Sequence, residues 1–115
     1  MQKTLQEMME IRQEQLEHIA KIHDLQDKMR KCLEEVEWDI IKGFDNIYQG
    51  DSKTSLDFKD IGDKGICLCI EVARSNIPIY QMFEYLKDCG FKMENMILRI
   101  EDFDYIICFP IDDLV

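Results

Sequence analysis

Between residues 2 and 48 the chain contains no proline and a single glycine, Gly43, and it is rich in Gln, Glu, Lys, Leu and Met. Such residues favour helix, because their straight side chains lose little freedom there. Apolar residues recur at Leu5, Met8, Met9, Leu16, Ile19, Ile22, Met29, Leu33, Val36, Ile40, Phe44 and Ile47, mostly three or four apart. That spacing makes a helical stripe. In heptad register Leu5, Met8, Ile19, Ile22, Met29, Leu33, Val36 and Ile40 fill the a and d positions, and Arg12, Gln15 and Gln26 interrupt them. One unbroken helix of this length would run about 65–70 Å at 1.5 Å per residue. A globule of 115 residues cannot cover such a rod with its own core. The rod must protrude and find a partner, or break. The simplest partner is a second copy, so the stripe predicts a coiled-coil homodimer with Leu5, Met8, Ile19, Ile22, Met29 and Leu33 in its seam. A break around residues 24–31, giving a helical hairpin, is the alternative.

Residues 1–48 are thus expected as a long amphipathic helix and residues 49–115 as a small α+β domain. Residues 49–55 are polar and read as a loop. Leu56, Phe58 and Ile61 suit a strand, and Gly62 to Gly65 suit a hairpin turn. Residues 66–72 are almost continuously apolar, as in a central strand covered on both faces. Asn76 is placed to cap a second helix and Pro78 to sit in its first turn, with Ile79, Met82, Phe83 and Leu86 as the buried stripe. Gly90 falls where the chain leaves that helix. Residues 96–100 and 105–109 read as two more strands about an acidic turn, 101–104. The order α-β-β-α-β-β predicts a four-stranded antiparallel sheet with helices on one face. The other face is open to cover by the long helix of a second chain.

Five cysteines, Cys32, Cys67, Cys69, Cys89 and Cys108, are an odd number, and most stand in apolar settings. They read as small buried hydrophobes in a reducing compartment rather than a disulfide framework. Cys67 and Cys69 would share one face of a strand, but zinc needs a second pair of ligands, and none is spaced for it. His18 and His23 are five apart and do not share a helix face. The series Asp57, Asp60, Asp63 lacks the glycine and closing glutamate of a calcium loop. There is no phosphate-binding glycine loop, nucleophile elbow or zinc-protease motif. The expectation is a protein without catalytic residues, metal or cofactor. Were it an enzyme with a site at a dimer interface, Cys67, Cys69, Glu71 and Tyr105 would be the first residues to examine.

Charge supplies the functional expectation. The chain has 24 acidic and 14 basic residues, a formal net charge of −10. Affinity for bare nucleic acid comes from clustered Lys and Arg, so direct nucleic-acid binding is not expected. No run is long and apolar enough for a membrane span, and the polar N-terminal segment has no signal-peptide pattern, so a cytoplasmic setting is expected. The last fifteen residues carry five acids and no base. One reading is a solvated surface that aids solubility. The sharper one is an acidic face, with Asp102, Asp104, Asp112 and Asp113, that docks on a basic protein surface of the kind that holds nucleic acid. Trp38, in a charged stretch, is either an anchor of that interface or a residue packed where the long helix meets the sheet. Small size, acidity and the lack of catalytic motifs suit an inhibitor of the immunity, antitoxin or phage anti-defence type. The alternative is an adaptor subunit that assembles through its N-terminal helix.

Overall fold

The computed structural model describes residues 1–18, 22–74 and 76–115. In it the N-terminal stripe is two helices, α1 (Gln2–Glu17) and α2 (Ile22–Tyr48), packed against each other. The backbone leaves the helix at His18, with φ −133° and ψ 79°. Across the pair, Thr4 Oγ1 donates to Glu35 Oε2 at 3.2 Å. The single protruding helix is therefore corrected to two shorter ones. The phase of the stripe explains why. Buried positions on α1 are Leu5, Met8 and Ile11, whereas Leu16 is exposed. On α2 they are Leu25, Met29, Cys32, Val36, Ile40 and Phe44, with Ile47 packed behind them. Their mean spacing is close to the 3.6 of a straight helix rather than the 3.5 of a coiled coil. A stripe of that period stays in line with one flat apolar surface along its whole length.

That surface is the chain's own sheet. Leu5 and Met8 are fully buried, Met29 is buried and Leu33 packs at the core margin, all in one cluster with sheet residues. Leu5, Met8 and Met29 are therefore spent inside the chain, and Leu33 is only partly buried. Ile19 and the side chain of Ile22 lie outside the described residues. Residues 1–48 and 49–115 contribute to the same core.

Strands β1 (Ser55–Asp60), β2 (Ile66–Ala73), β3 (Ile97–Glu101) and β4 (Asp104–Pro110) form one antiparallel sheet in the order β1-β2-β4-β3. The turn at Gly62 to Gly65 closes the first hairpin, with Ile61 N–H donating to the Gly65 carbonyl at 2.9 Å. Helix α3 (Ile79–Asp88) links the hairpins. Gly90, at φ 102°, ends it in a conformation that favours glycine. Asn76 does not cap α3, which starts after Pro78 without a side-chain cap. Its Nδ2 instead donates to the Ser52 carbonyl at 2.9 Å. Ser75 lies outside the described residues. Ser52 is itself held, through its hydroxyl and its N–H, by the Asp45 carboxylate at 2.6 and 2.8 Å. The end of α2, the 49–54 loop and the approach to α3 are thereby tied together.

The central pair, β2 and β4, has two different faces. Leu68, Ile70, Val72, Ile107 and Phe109 belong to the main core with the helices. Phe109 stacks on Phe91 with ring centres 4.5 Å apart. Cys67, Cys69, Ile106 and Cys108 form a separate small cluster, flanked by Ile61 and Ile97. Residues 67–70 and 72 are buried, and Ile66 and Glu71 partly so; the second face is closed largely by small side chains instead of a helix.

Gly43 has a packing reason. A Cβ built there would collide with the Tyr85 ring. Tyr85 is fixed by an edge-to-face contact with Phe44 and by its hydroxyl, which donates to the Asp39 carbonyl at 2.9 Å. Helix propensity alone predicts that Gly43→Ala stabilises by about 1 kcal/mol. Overpacking costs roughly 1–3 kcal/mol, and we expect it to prevail, lowering stability in urea denaturation. In a Tyr85→Ala background the same substitution becomes stabilising, and a double-mutant cycle reads the reversal.

Candidate partner-binding surface

The two edges of the sheet are finished differently. At β1 the backbone N–H of Leu56 donates to Glu37 Oε2 of α2 at 3.0 Å, and that of Phe58 to the Asp57 carboxylate at 2.8 Å. Carboxylates thus occupy edge donors that another strand would otherwise meet. At β3, among the described residues, no side chain takes that role.

The β3 edge also carries apolar groups. Ile97 turns to the cysteine cluster, so Leu98 and Ile100 point to the helix side of the sheet, where the helices do not reach them. They are 37% and 56% exposed. The strand ends in a tight turn, Asp102 and Phe103, between paired Glu101 and Asp104. Asp102 adopts φ 48°, a left-handed conformation that Asp tolerates better than most residues. Phe103 projects from this turn 81% exposed, while its carbonyl accepts the Arg74 N–H at 2.7 Å. An aromatic side chain held by an ordered backbone and left in water is a natural anchor for a partner.

Glu101, Asp102 and Asp104 surround Phe103, and Glu71 lies close on the cysteine face. Among the cations, Arg99 lies 3.9 Å from Glu101, and Lys59 acts on Glu71. A carboxyl–carboxyl hydrogen bond to Asp104, aided by burial, pushes the Glu71 pKa upward.

The four acids taken from the sequence as one face are divided. Asp102 and Asp104 stand at the start of β4, and Asp112 and Asp113 in the 3-10 turn after its end. Seven residues of strand put the pairs about 20 Å apart. Asp113 lies 3.7 Å from Lys92, in a depression shared with Asp63 and Glu94. Trp38 is 70% exposed on α2, which removes the reading that packs it against the sheet. Of the residues considered for an enzyme, Cys67, Cys69 and Glu71 share the helix-free face, whereas Tyr105 packs on the opposite side. His18 and His23 are exposed. Among the described residues no group of three or more His, Cys, Asp and Glu is arranged to hold a metal ion, and no helix is long and apolar enough to cross a membrane.

A depression of about 900 Å³ runs beside the second half of α2 between Asp39, Lys42 and Asn46 on one side and Tyr85 and Cys89 on the other. A smaller one of about 370 Å³ lies where Gln15, Gln26, Met29 and Leu33 meet Phe58 and Ile66. The first includes the Cys89 thiol, whose pKa is raised chiefly by burial. The sequence reading missed Leu98, Ile100 and Phe103. The available signal was a phenylalanine flanked by acids inside the turn at 101–104.

The raised Glu71 pKa has a definite sign. A carboxyl that holds its proton more tightly when folded stabilises the native state at low pH, and that contribution is lost as pH rises through the folded pKa. At neutral pH the charged pair is then a source of repulsion. Glu71→Gln should raise the thermal midpoint at pH 7, and the gain should disappear on acidification to the ordinary carboxylate range. Midpoints measured across pH by circular dichroism check it.

No family model, curated protein or solved structure matches this chain.

Proposed function

We propose that the chain is a non-enzymatic protein-binding module that docks through its β3–β4 hairpin on a partner with a basic rim. Phe103 enters an apolar pocket of that partner, Leu98 and Ile100 extend the contact, and the unoccupied edge of β3 offers backbone groups to a partner strand. Glu101, Asp102 and Asp104 steer the encounter and reject acidic surfaces. Blocking a basic surface, as an inhibitor does, is the simplest consequence for the partner. The observation that carries this reading is Phe103, 81% exposed at the tip of an acidic turn beside an edge strand that no side chain caps among the described residues. The burial of Leu5, Met8 and Met29 within the chain speaks against assembly through an N-terminal coiled coil.

The test is affinity capture from the source cells with wild-type and variant chains, followed by affinity measurement on the purified partner. Loss of a central aromatic anchor costs about 2 kcal/mol or more, so Phe103→Ala should weaken binding roughly 30-fold. Asp102→Lys should weaken it less, and raising salt from about 0.15 to 0.5 M should weaken the wild type, because exposed charge is screened. Asp112→Lys with Asp113→Lys, at the far end of β4, should leave affinity unchanged. Binding that survives Phe103→Ala and is abolished by Trp38→Ala would overturn the assignment and move the interface to α2.

A further inference from the structure

The helix-free face of the sheet holds a pair of thiols whose placement is set by strand register. Cys69 of β2 and Cys108 of β4 are directly opposed Cα partners. Opposed residues on antiparallel strands have Cα atoms about 4.5 or 5.5 Å apart. Both spacings fall inside the roughly 4.4–6.8 Å window of a disulfide. The two side chains leave the sheet on the same face, and the Cys69 thiol donates to the Cys108 sulfur at 2.7 Å. Few arrangements of two cysteines need less movement to bond.

We propose that Cys69 and Cys108 form a reversible cross-strand disulfide, made by hydrogen peroxide and undone by a dithiol reductant. This inference does not depend on the partner-binding reading.

The surroundings bear on which sulfur reacts first. Cys108 is the one cysteine of the five whose pKa is lowered. The Cys69 thiol hydrogen bond is the largest cause, and Lys59 and Arg99 add to it against burial and Glu101. Cys69, as the donor, is pushed strongly upward. Cys67 and Cys89 are raised chiefly by burial, and Cys32 is raised to about 11 by burial with Glu7 and Glu35 nearby. The thiolate is the reactive form, and Lys59 and Arg99 beside Cys108 favour it there, so the step is written with Cys108 attacking first; the link itself follows from strand register whichever sulfur begins. Its sulfur attacks one oxygen of hydrogen peroxide and the O–O bond breaks. Hydroxide leaves and takes up a proton as water, and Cys108 becomes a sulfenic acid. Cys69 then attacks the Cys108 sulfur. The S–O bond breaks, and the departing hydroxide takes the Cys69 proton as a second water. Two thiols lose two electrons and the peroxide gains them. A dithiol reverses the bond by exchange, becoming a disulfide itself. Hydrogen peroxide is the fitting oxidant because it is small and neutral, and the cysteines are only 2% and 0% exposed.

The bond would fasten the two central strands, joining residues 39 apart in sequence. Cross-linking distant residues restricts the unfolded chain, so the oxidised protein should unfold at higher denaturant. The test treats the full chain with hydrogen peroxide, alkylates the remaining thiols and maps peptides by mass spectrometry, with fragmentation to separate Cys67 from Cys69. The expected result is a 69–108 link, alkylated Cys32, Cys67 and Cys89, a raised urea midpoint, and return to five free thiols with dithiothreitol. Cys67→Ser should keep the link, and Cys69→Ser and Cys108→Ser should each abolish it. The wild-type map stands alone if a serine variant fails to fold. A link between another pair, an intermolecular link, or oxidation of Cys108 to sulfinic acid beside alkylated Cys69 would overturn the proposal.

Discussion

Everything in this molecule rests on the contact between the apolar stripe of α2 and the helix-facing side of β2 and β4. Val36, Ile40 and Phe44 share one buried cluster with Leu68, Ile70, Ile107 and Phe109, and all seven are fully shielded from water. Large side chains of this kind contribute about 1.5–3 kcal/mol each on burial. The contact decides the fate of α1. Once α2 lies along the sheet, folding α1 back buries Leu5, Met8 and Ile11 against the same core and against the turn that ends the chain. A protruding rod would leave those side chains in water.

The same packing makes the sheet asymmetric. One side is occupied by three helices, so the other must close itself. It does so with cysteines, whose small side chains fill the space between flanking Lys59 and Arg99 without a covering layer. One edge lies within reach of α2, and Glu37 spans the gap to the Leu56 N–H. The other edge lies beyond the helices. Exposure of Leu98, Ile100 and Phe103 follows from that geometry, and so does the proximity of acids left in the same turn.

Local structure was legible in the sequence, and long-range placement much less so. The antiparallel sheet, helix α3, the Gly62 to Gly65 turn and the positive φ at Gly90 follow from period, turn residues and glycine chemistry. The break between α1 and α2 was hidden because no proline or glycine marks it, and a 3.6 repeat passes for a heptad over a few turns. Ile11 and Leu25 belong to the true stripe, whereas Leu16 does not. The acids at 102–104 and 112–113 are close in sequence, but an extended strand separates them. The opposition of Cys69 and Cys108 depends on β2 pairing with β4 rather than with β3, which no local pattern records.

The two sheet edges differ in how their outward amides are held, and amide hydrogen exchange on the free chain, read by NMR, separates them. Exchange should be slow at Leu56, whose N–H is held by Glu37, and fast at alternate amides of 97–101, whose outward N–H groups meet no side chain among the described residues. Uniform protection along 97–101 in the chain alone would contradict it, because that edge would already be covered and not free to receive a partner.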